Sequence, residues 1–383
     1  MDKSVSVDCR QPVGVYIHIP FCRKRCAYCD FYTAMCHREV MQKYVSRLKN
    51  EIYRWGGALS RPADTVYFGG GTPSVLETEV LCELLAAVKE AFKVRPQAEI
   101  TLEINPEDAS ADFLGKVKEA GFNRLSIGMQ SMDDRLLKAL GRRHSADASV
   151  EAFKTARQCG FDNITVDLML GLPQQETEDA LSNARDIVAL GPEHISCYML
   201  ILEEKTALFA RREKLRFPDE ETVSEEYLGI CDIFSQNGFN HYDISNFAKD
   251  GKKSRHNLKY WHCEEYIGIG PSAYSFIDGK RFHYKADLKG FIACPETEDD
   301  GEGGDIGEFI MLALRLSEGL REERLKKLYG KKYSRRFYEK AELLKDGGLA
   351  TLKDGSFCLT HKGMLVSNSI ICEMTEEDMY EDI

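Results

Sequence analysis

Residues 16–31 read Tyr16-Ile17-His18-Ile19-Pro20-Phe21-Cys22-Arg23-Lys24-Arg25-Cys26-Ala27-Tyr28-Cys29-Asp30-Phe31. An apolar, β-prone run ends at Pro20, and a loop with three cysteines spaced CxxxCxxC follows it directly. Three thiolates within eight residues can converge on one metal centre. A closed structural zinc site takes four ligands, and no fourth Cys or His follows at suitable spacing. Cys36 and His37 are near in sequence but fit no standard zinc pairing. A [4Fe–4S] cluster normally takes four thiolates, so three leave one iron open to an exogenous ligand. Arg23, Lys24 and Arg25 are expected to lower the thiol pKa values and balance cluster charge.

Outward from this loop, apolar runs recur at 14–20, 64–71, 99–106, 124–131, 163–173 and 194–202. Four of them end in Gly or Pro, as buried parallel strands do. Helical periodicity lies between them at 81–92, 112–120 and 147–159, with Gly121 and Gly160 as stops. Six βα units predict an α/β fold, and a doubly wound sheet and a partial barrel both fit. Either one places the site at the C-terminal strand ends. Cys22, Gly69–Thr72, Glu103–Asn105, Gln130 and Asp167 all fall at or just after such ends. The run Gly69-Gly70-Gly71-Thr72-Pro73 lacks the GK[ST] ending of a triphosphate-binding loop. Its glycines are expected to allow close backbone approach and to leave N–H groups free for a carboxylate or amine. Glu103 suits an ammonium, ribose hydroxyls or a helix cap.

The chain has 383 residues, 43% of them apolar, with 62 acidic against 51 basic side chains and a net charge of −11. That balance argues against a general polyanion binder, so no nucleic-acid partner is expected. Residues 1–11 contain no signal-peptide core, and no apolar stretch approaches the ~20 residues of a membrane helix. A cytoplasmic protein with mostly reduced cysteines is expected, given thirteen cysteines and no export signal. The expected division is a barrel core at 1–205, an aromatic-rich extension at 206–295, an acidic Gly-rich linker at 296–305 and a C-terminal module at 306–383. Helix patterns at 306–316 and 334–344, then strand, Asp354-Gly355 turn, strand and short helix, predict a small winged-helix-like α+β module with a packing role.

The CxxxCxxC loop after a first strand resembles the radical S-adenosylmethionine (SAM) superfamily. The resemblance implies a partial (β/α)6 TIM-type barrel, a [4Fe–4S] cluster on Cys22, Cys26 and Cys29, and SAM on the open iron. YIHIPFC, CxYCDF, GGGTPS and DLMLGLPQQ are similar to the oxygen-independent coproporphyrinogen III oxidase group over nearly the whole chain. By that resemblance Tyr16 and Tyr28 flank the cofactor, Gly70, Gly71 and Thr72 approach its methionine part, and Glu103, Gln130, Arg142 and Asp167 contact SAM. Arg143 is the neighbouring alternative to Arg142, and the contacts divide between one or two SAM molecules.

The oxidase carries a further cysteine two residues after the third ligand, where this chain has Phe31. The CDF ending instead resembles the haem-chaperone (HemW-type) branch. His256-Asn257-Leu258-Lys259-Tyr260-Trp261 matches the HNxxYW motif which that branch uses for haem. The resemblance implies His256 as ligand of the haem iron, Asn257 orienting its ring, and Tyr260 and Trp261 offering flat surface to the porphyrin, at the junction of barrel and C-terminal module. The function implied is haem delivery to an acceptor protein, a respiratory protein being one candidate, with an electron donor for cluster reduction. The alternatives are a coproporphyrinogen III oxidase and a radical SAM methyltransferase. His18 is read as structural or as a support behind the cluster, since it alternates with apolar residues of the first strand, and a homodimer is compatible with the sequence.

Overall fold

The computed structural model describes residues 11–35 and 37–383, so the readings of residues 1–10 and of Cys36 lie outside the described residues. Six parallel strands lie side by side in chain order: β1 (Val13–Ile19), β2 (Ala63–Gly70), β3 (Glu99–Ile104), β4 (Arg124–Gln130), β5 (Ile164–Leu170) and β6 (His194–Met199). A doubly wound sheet reverses its order midway. This one never does, which selects the partial barrel.

The crossovers are helical: α1 (Arg38–Leu59), α2 (Thr78–Ala91), α3 (Ala111–Ala120), the short α4 (Asp134–Ala139), α5 (Ala146–Gln158) and α6 (Thr177–Leu190). Local chemistry sets their ends. Ser110 accepts from the Phe113 N–H to start α3, and Gly121 at φ 106° stops it, as its sequence position predicts.

Further strands, most of them antiparallel, extend both edges of the sheet. Beyond β6 lie β7 (Asn240–Asp243) and β8 (Asn246–Ala248), after helix α7 (Glu220–Gln236). Helix α8 (Arg255–Trp261) follows, then β9 (Tyr266–Ile269), which runs parallel to β1 on its free side. Next come β10 (Tyr274–Ile277), β11 (Lys280–Tyr284), helix α9 (Leu288–Ala293) and β12 (Thr297–Glu302).

The last of these corrects the expected linker at 296–305. Thr297–Glu302 is an edge strand paired antiparallel with β11. Its acidic side chains read as loop, but edges favour charge, which blocks further strand pairing. Glu298 and Asp300 also pair with His283 across the ladder.

The barrel strands alternate more than their apolar composition suggests. Val15, Ile17, Val66, Phe68, Leu102, Leu125 and Val166 pack in one core with Leu84, Val88, Leu114 and Phe153 of the helices. The other face carries Thr65, Thr101, Ser126, Thr165, Asp167 and Ser196, so the lumen is polar.

The C-terminal module has its own core around Phe309, Phe337, Leu344 and Phe357. It comprises α10 (Ile306–Ala313), α11 (Glu322–Tyr329) and α12 (Arg335–Asp346), then a hairpin of Ala350–Lys353 and Ser356–Leu359. Asp354 and Gly355 both have positive φ, 51° and 73°, as a two-residue hairpin turn requires. Helices α13 (His361–Leu365) and α14 (Ser367–Met374) close the module.

Candidate functional site

A cavity of about 480 Å³ opens at the C-terminal ends of the strands. Its wall collects Cys22, Cys26, Tyr28 and Cys29 from the loop, Gly70, Gly71 and Thr72 at the end of β2, Glu103, Gln130, Arg142 and Asp167. These residues span 146 positions of sequence, and parallel winding alone brings them together. Phe31 and Ile201, 65% and 72% exposed, stand at its mouth.

The glycine run fixes the cysteine loop by contact. The N–H of Gly71 donates to Ile19 O and that of Thr72 to Phe21 O, each at 2.8 Å. The Gly70 N–H donates to Glu103 Oε2 at 3.2 Å. These N–H groups are therefore used internally, contrary to the expectation that they stay free for a ligand. Close approach is the real requirement. A Cβ on Gly70, whose φ is +109°, would sit 2.5 Å from the His18 ring, and one on Gly71 would sit 2.7 Å from Phe21 O. His18 is buried between the Tyr16 hydroxyl and Tyr32 O, in the structural place its sequence predicts.

The basic residues of the loop meet the expectation only in part. Arg23 turns away to Asp108 at 3.2 Å, and Arg25 donates to the backbone oxygens of Cys29 and Phe31. Burial pushes the Cys29 thiol up, and Arg25 offsets this only in part. Arg142 also reaches this loop, its Nη1 lying 3.4 Å from Cys26 Sγ. Its Nη2 donates to Asn105 Oδ1 and Gly128 O, while its Nε is buried without a partner. Arg142 lines the main cavity, as does Arg25, while Arg143 lines only a small side pocket with Arg23 and Asp108.

Two of the carboxyls in the cavity wall are deeply buried. Burial raises Glu103 to about 7 and Asp167 to about 6, although each is hydrogen-bonded. Tyr67 donates to Glu103 Oε1 at 2.7 Å, and Ser126 donates to Asp167 Oδ1 at 3.2 Å. Gln130 ends β4 at φ +69°, just after a register shift against β5. Non-glycine residues held in that region cluster at functional sites.

Tyr16 is not part of this wall. It lies deeper in the lumen, its ring 6.1 Å from Tyr67 and 6.5 Å from His256. His256 belongs to α8, which closes the opposite, N-terminal end of the barrel. Glu99, the first residue of β3, accepts from the backbone N–H groups of Arg255 and His256. Lys259 is buried against Asp64 at 3.0 Å. Both imidazole nitrogens of His256 are paired, Nδ1 with Thr65 Oγ1 at 2.9 Å and Nε2 with the Tyr260 hydroxyl at 2.8 Å. Its pKa is lowered to about 3, mainly by burial and then by Lys259 and Arg124.

The fold thus brings the motif residues together but not as an open flat face. Tyr260 packs edge-on against Tyr266, and Trp261 donates to Asp243 Oδ2 at 3.0 Å with Arg315 over its ring. Half-buried Asn257 lies on the same short helix.

Sequence reasoning missed Tyr67 and Ser126, which hold the two carboxyls. Their signal was alternation: each lies on the lumen face of its strand, and its register partner, Thr101 or Thr165, lies two residues before the acid that it holds.

The radical SAM superfamily matches residues 16–187, and the HemN C-terminal domain matches residues 305–366. The chain is 36% identical over 369 residues to heme chaperone HemW of Bacillus subtilis (strain 168), covering 93% of this chain and 97% of that protein. It is 31% identical over 378 residues to heme chaperone HemW of Lactococcus lactis subsp. lactis (strain IL1403), covering 97% and 99%. Among solved structures, coproporphyrinogen III oxidase (HemN) from Escherichia coli superposes with a TM-score of 0.81 at 22% identity, over 96% of this chain and 91% of that one. That likeness establishes the shared fold.

Proposed function

The chain belongs to the HemW family within the radical SAM superfamily, and on that premise we propose that it binds haem and delivers it to an acceptor protein. The superfamily implies a [4Fe–4S] cluster and SAM, and the cavity fits both. Three thiol-bearing residues line one side of it, and Arg142, whose Nε is buried without a partner, and two raised carboxyls lie on the same wall. When bound, the cluster supplies an electron that can cleave a carbon–sulfur bond of SAM.

In this reading Cys22, Cys26 and Cys29 hold the cluster. Gly70 and Gly71 let the loop approach, and Thr72 faces Cys22 at 3.5 Å. Glu103 and Asp167 offer negative charge to a cationic ligand, Arg142 offers its guanidinium to a carboxylate, and Tyr28 and Gln130 complete the wall. Tyr16 supports the wall from below through the aromatic layer with Tyr67. His256 is the axial ligand for haem iron, with Asn257, Tyr260 and Trp261 around it. That role needs Nε2 to exchange the Tyr260 hydroxyl for iron, so α8 must shift on haem binding. The proposed setting is the cytoplasm, where thiols stay reduced, with an electron donor for the cluster.

The observation that carries this reading over an oxidase is Phe31. An exposed phenyl ring stands where the oxidase has its further cysteine, so that position offers no thiol here. The test is a haem titration of anaerobically reconstituted protein, followed by the Soret band, for wild type and His256→Gln. Saturable one-to-one binding that weakens in the variant is expected. Absence of binding by wild type, together with conversion of coproporphyrinogen III, would replace this function with the oxidase.

A further inference from the structure

Outside the cavity lining, Cys231 of α7, His241 of β7 and His361 at the first position of α13 bring their ligand atoms within 4.8 Å of one another. They come from three elements, and His361 belongs to the C-terminal module while the other two belong to the barrel extension. The imidazoles of His241 and His361 meet edge-on, with centroids 5.0 Å apart. Phe247 stacks on His241 at 4.3 Å and fixes its plane. His241 Nδ1 is buried with no hydrogen-bond partner, and Nε2 makes only long contacts of 3.4 Å, to the Tyr227 hydroxyl and Ile244 O. A buried imidazole nitrogen left unsatisfied is costly and calls for an explanation. Soft donors continue beyond the three residues, since Met364 Sδ lies 3.9 Å from the Tyr227 hydroxyl.

We propose that Cys231, His241 and His361 form a zinc site that staples the C-terminal module to the barrel extension. One thiolate and two imidazoles suit a borderline d10 ion and not calcium or magnesium, which take oxygen ligands. Bonds of about 2.0–2.3 Å place such donors about 3.5 Å apart, so side-chain shifts of about 1 Å close the set. Binding exchanges the Cys231 thiol proton for zinc and releases it to solvent. Half-exposed His361 provides the entry path, and water or the Tyr227 oxygen is available as fourth ligand. The three residues come from elements other than the loop that carries the cluster cysteines, and none of them lines the cavity.

The test uses the full chain with its iron–sulfur cluster loaded, incubated with zinc chloride and desalted. About one zinc per chain beyond the cluster iron is expected in wild type. The zinc content should fall at least about fivefold in Cys231→Ala, His361→Ala and His361→Asn, with iron content unchanged. His283→Ala, on β11, should keep its zinc. The zinc absorption edge of wild type should show one sulfur and two nitrogen scatterers, a readout that needs no variant to fold. Zinc should raise the melting temperature of wild type but not of His361→Asn. Zinc retained by all three variants, lost instead with Cys22→Ala, or bound only through oxygen would overturn the proposal.

Discussion

The Tyr67 hydroxyl donates to Glu103 Oε1 at 2.7 Å, and the same tyrosine ring stacks on His256 at 5.3 Å. One side chain therefore joins the wall of the cavity to the helix that plugs the barrel. Movement of α8 that withdraws His256 also removes packing from Tyr67, and with it one of the two hydrogen bonds that hold Glu103.

That hydrogen bond lowers the Glu103 pKa against the larger, raising effect of burial. An acid raised from its ordinary value to about 7 costs the empty fold stability as pH climbs from about 4.5 through 7, because the carboxylate is disfavoured there. A cationic ligand reverses the balance and expels the proton. SAM affinity should therefore rise with pH up to about 7, by at most about tenfold per unit for each titrating carboxyl. Calorimetry in buffers of different ionisation enthalpy should detect the released proton. Glu103→Gln should flatten the upper part of the profile, and Tyr67→Phe should move it to higher pH. Affinity that stays level across this range in wild type would remove Glu103 from the cation site.

Gly70→Ala should be damaging out of proportion to one methyl group. The positive φ costs about 1–3 kcal/mol for a residue with a Cβ, and that Cβ would meet the buried His18 ring. Since Gly71 and Thr72 tie the cysteine loop to this turn, bound iron should fall together with melting temperature. Gly57→Ala, in α1 with open space around it, should instead gain up to roughly 1 kcal/mol. Equal behaviour of the two variants would show that the turn tolerates a side chain.

These contacts also show what the sequence can reveal. All six barrel strands, the Gly121 stop and the Asp354-Gly355 turn were legible because each depends on neighbours within a few residues. The cavity was legible as positions at strand ends, since chain order and spatial order coincide in this sheet. Three features were not. Thr297–Glu302 has the composition of a loop and pairs only because β11 presents its edge. Gln130 takes its left-handed backbone from a register shift that no local pattern announces. The place of α8 depends on Glu99, 157 residues before His256, capping it from the far end of the barrel. A motif identifies side chains; the partners that bury them are long-range.

Arg142→Lys tests whether the guanidinium is used for its shape. Arg142 reaches Cys26, Asn105 and Gly128 at once, which one ammonium group cannot reproduce. SAM affinity should drop about tenfold, by loss of one charge-assisted contact, while bound iron stays near wild type. Arg143→Lys, in the side pocket, should leave SAM affinity unchanged. If the two variants exchange these outcomes, the guanidinium that serves SAM is that of Arg143.

The haem role of His256 makes its strongest demand on Tyr260. In the closed structure the Tyr260 hydroxyl occupies Nε2, the nitrogen that faces away from Thr65, so haem iron must compete with a hydrogen bond worth about 1 kcal/mol. Tyr260→Phe keeps the ring against Tyr266 and deletes only that competitor. Haem affinity should therefore rise by up to about fivefold, with an unchanged Soret maximum, and association should quicken because α8 opens more readily. His256→Gln retains partners for Thr65 and Tyr260 and removes the strong iron ligand, so it should keep the fold and lose the affinity. A purely structural His256 gives a different pattern: both variants lower the melting temperature and neither moves the haem titration. In that case the haem ligand lies on another surface, and the apolar mouth at Phe31 and Ile201 becomes the place to look.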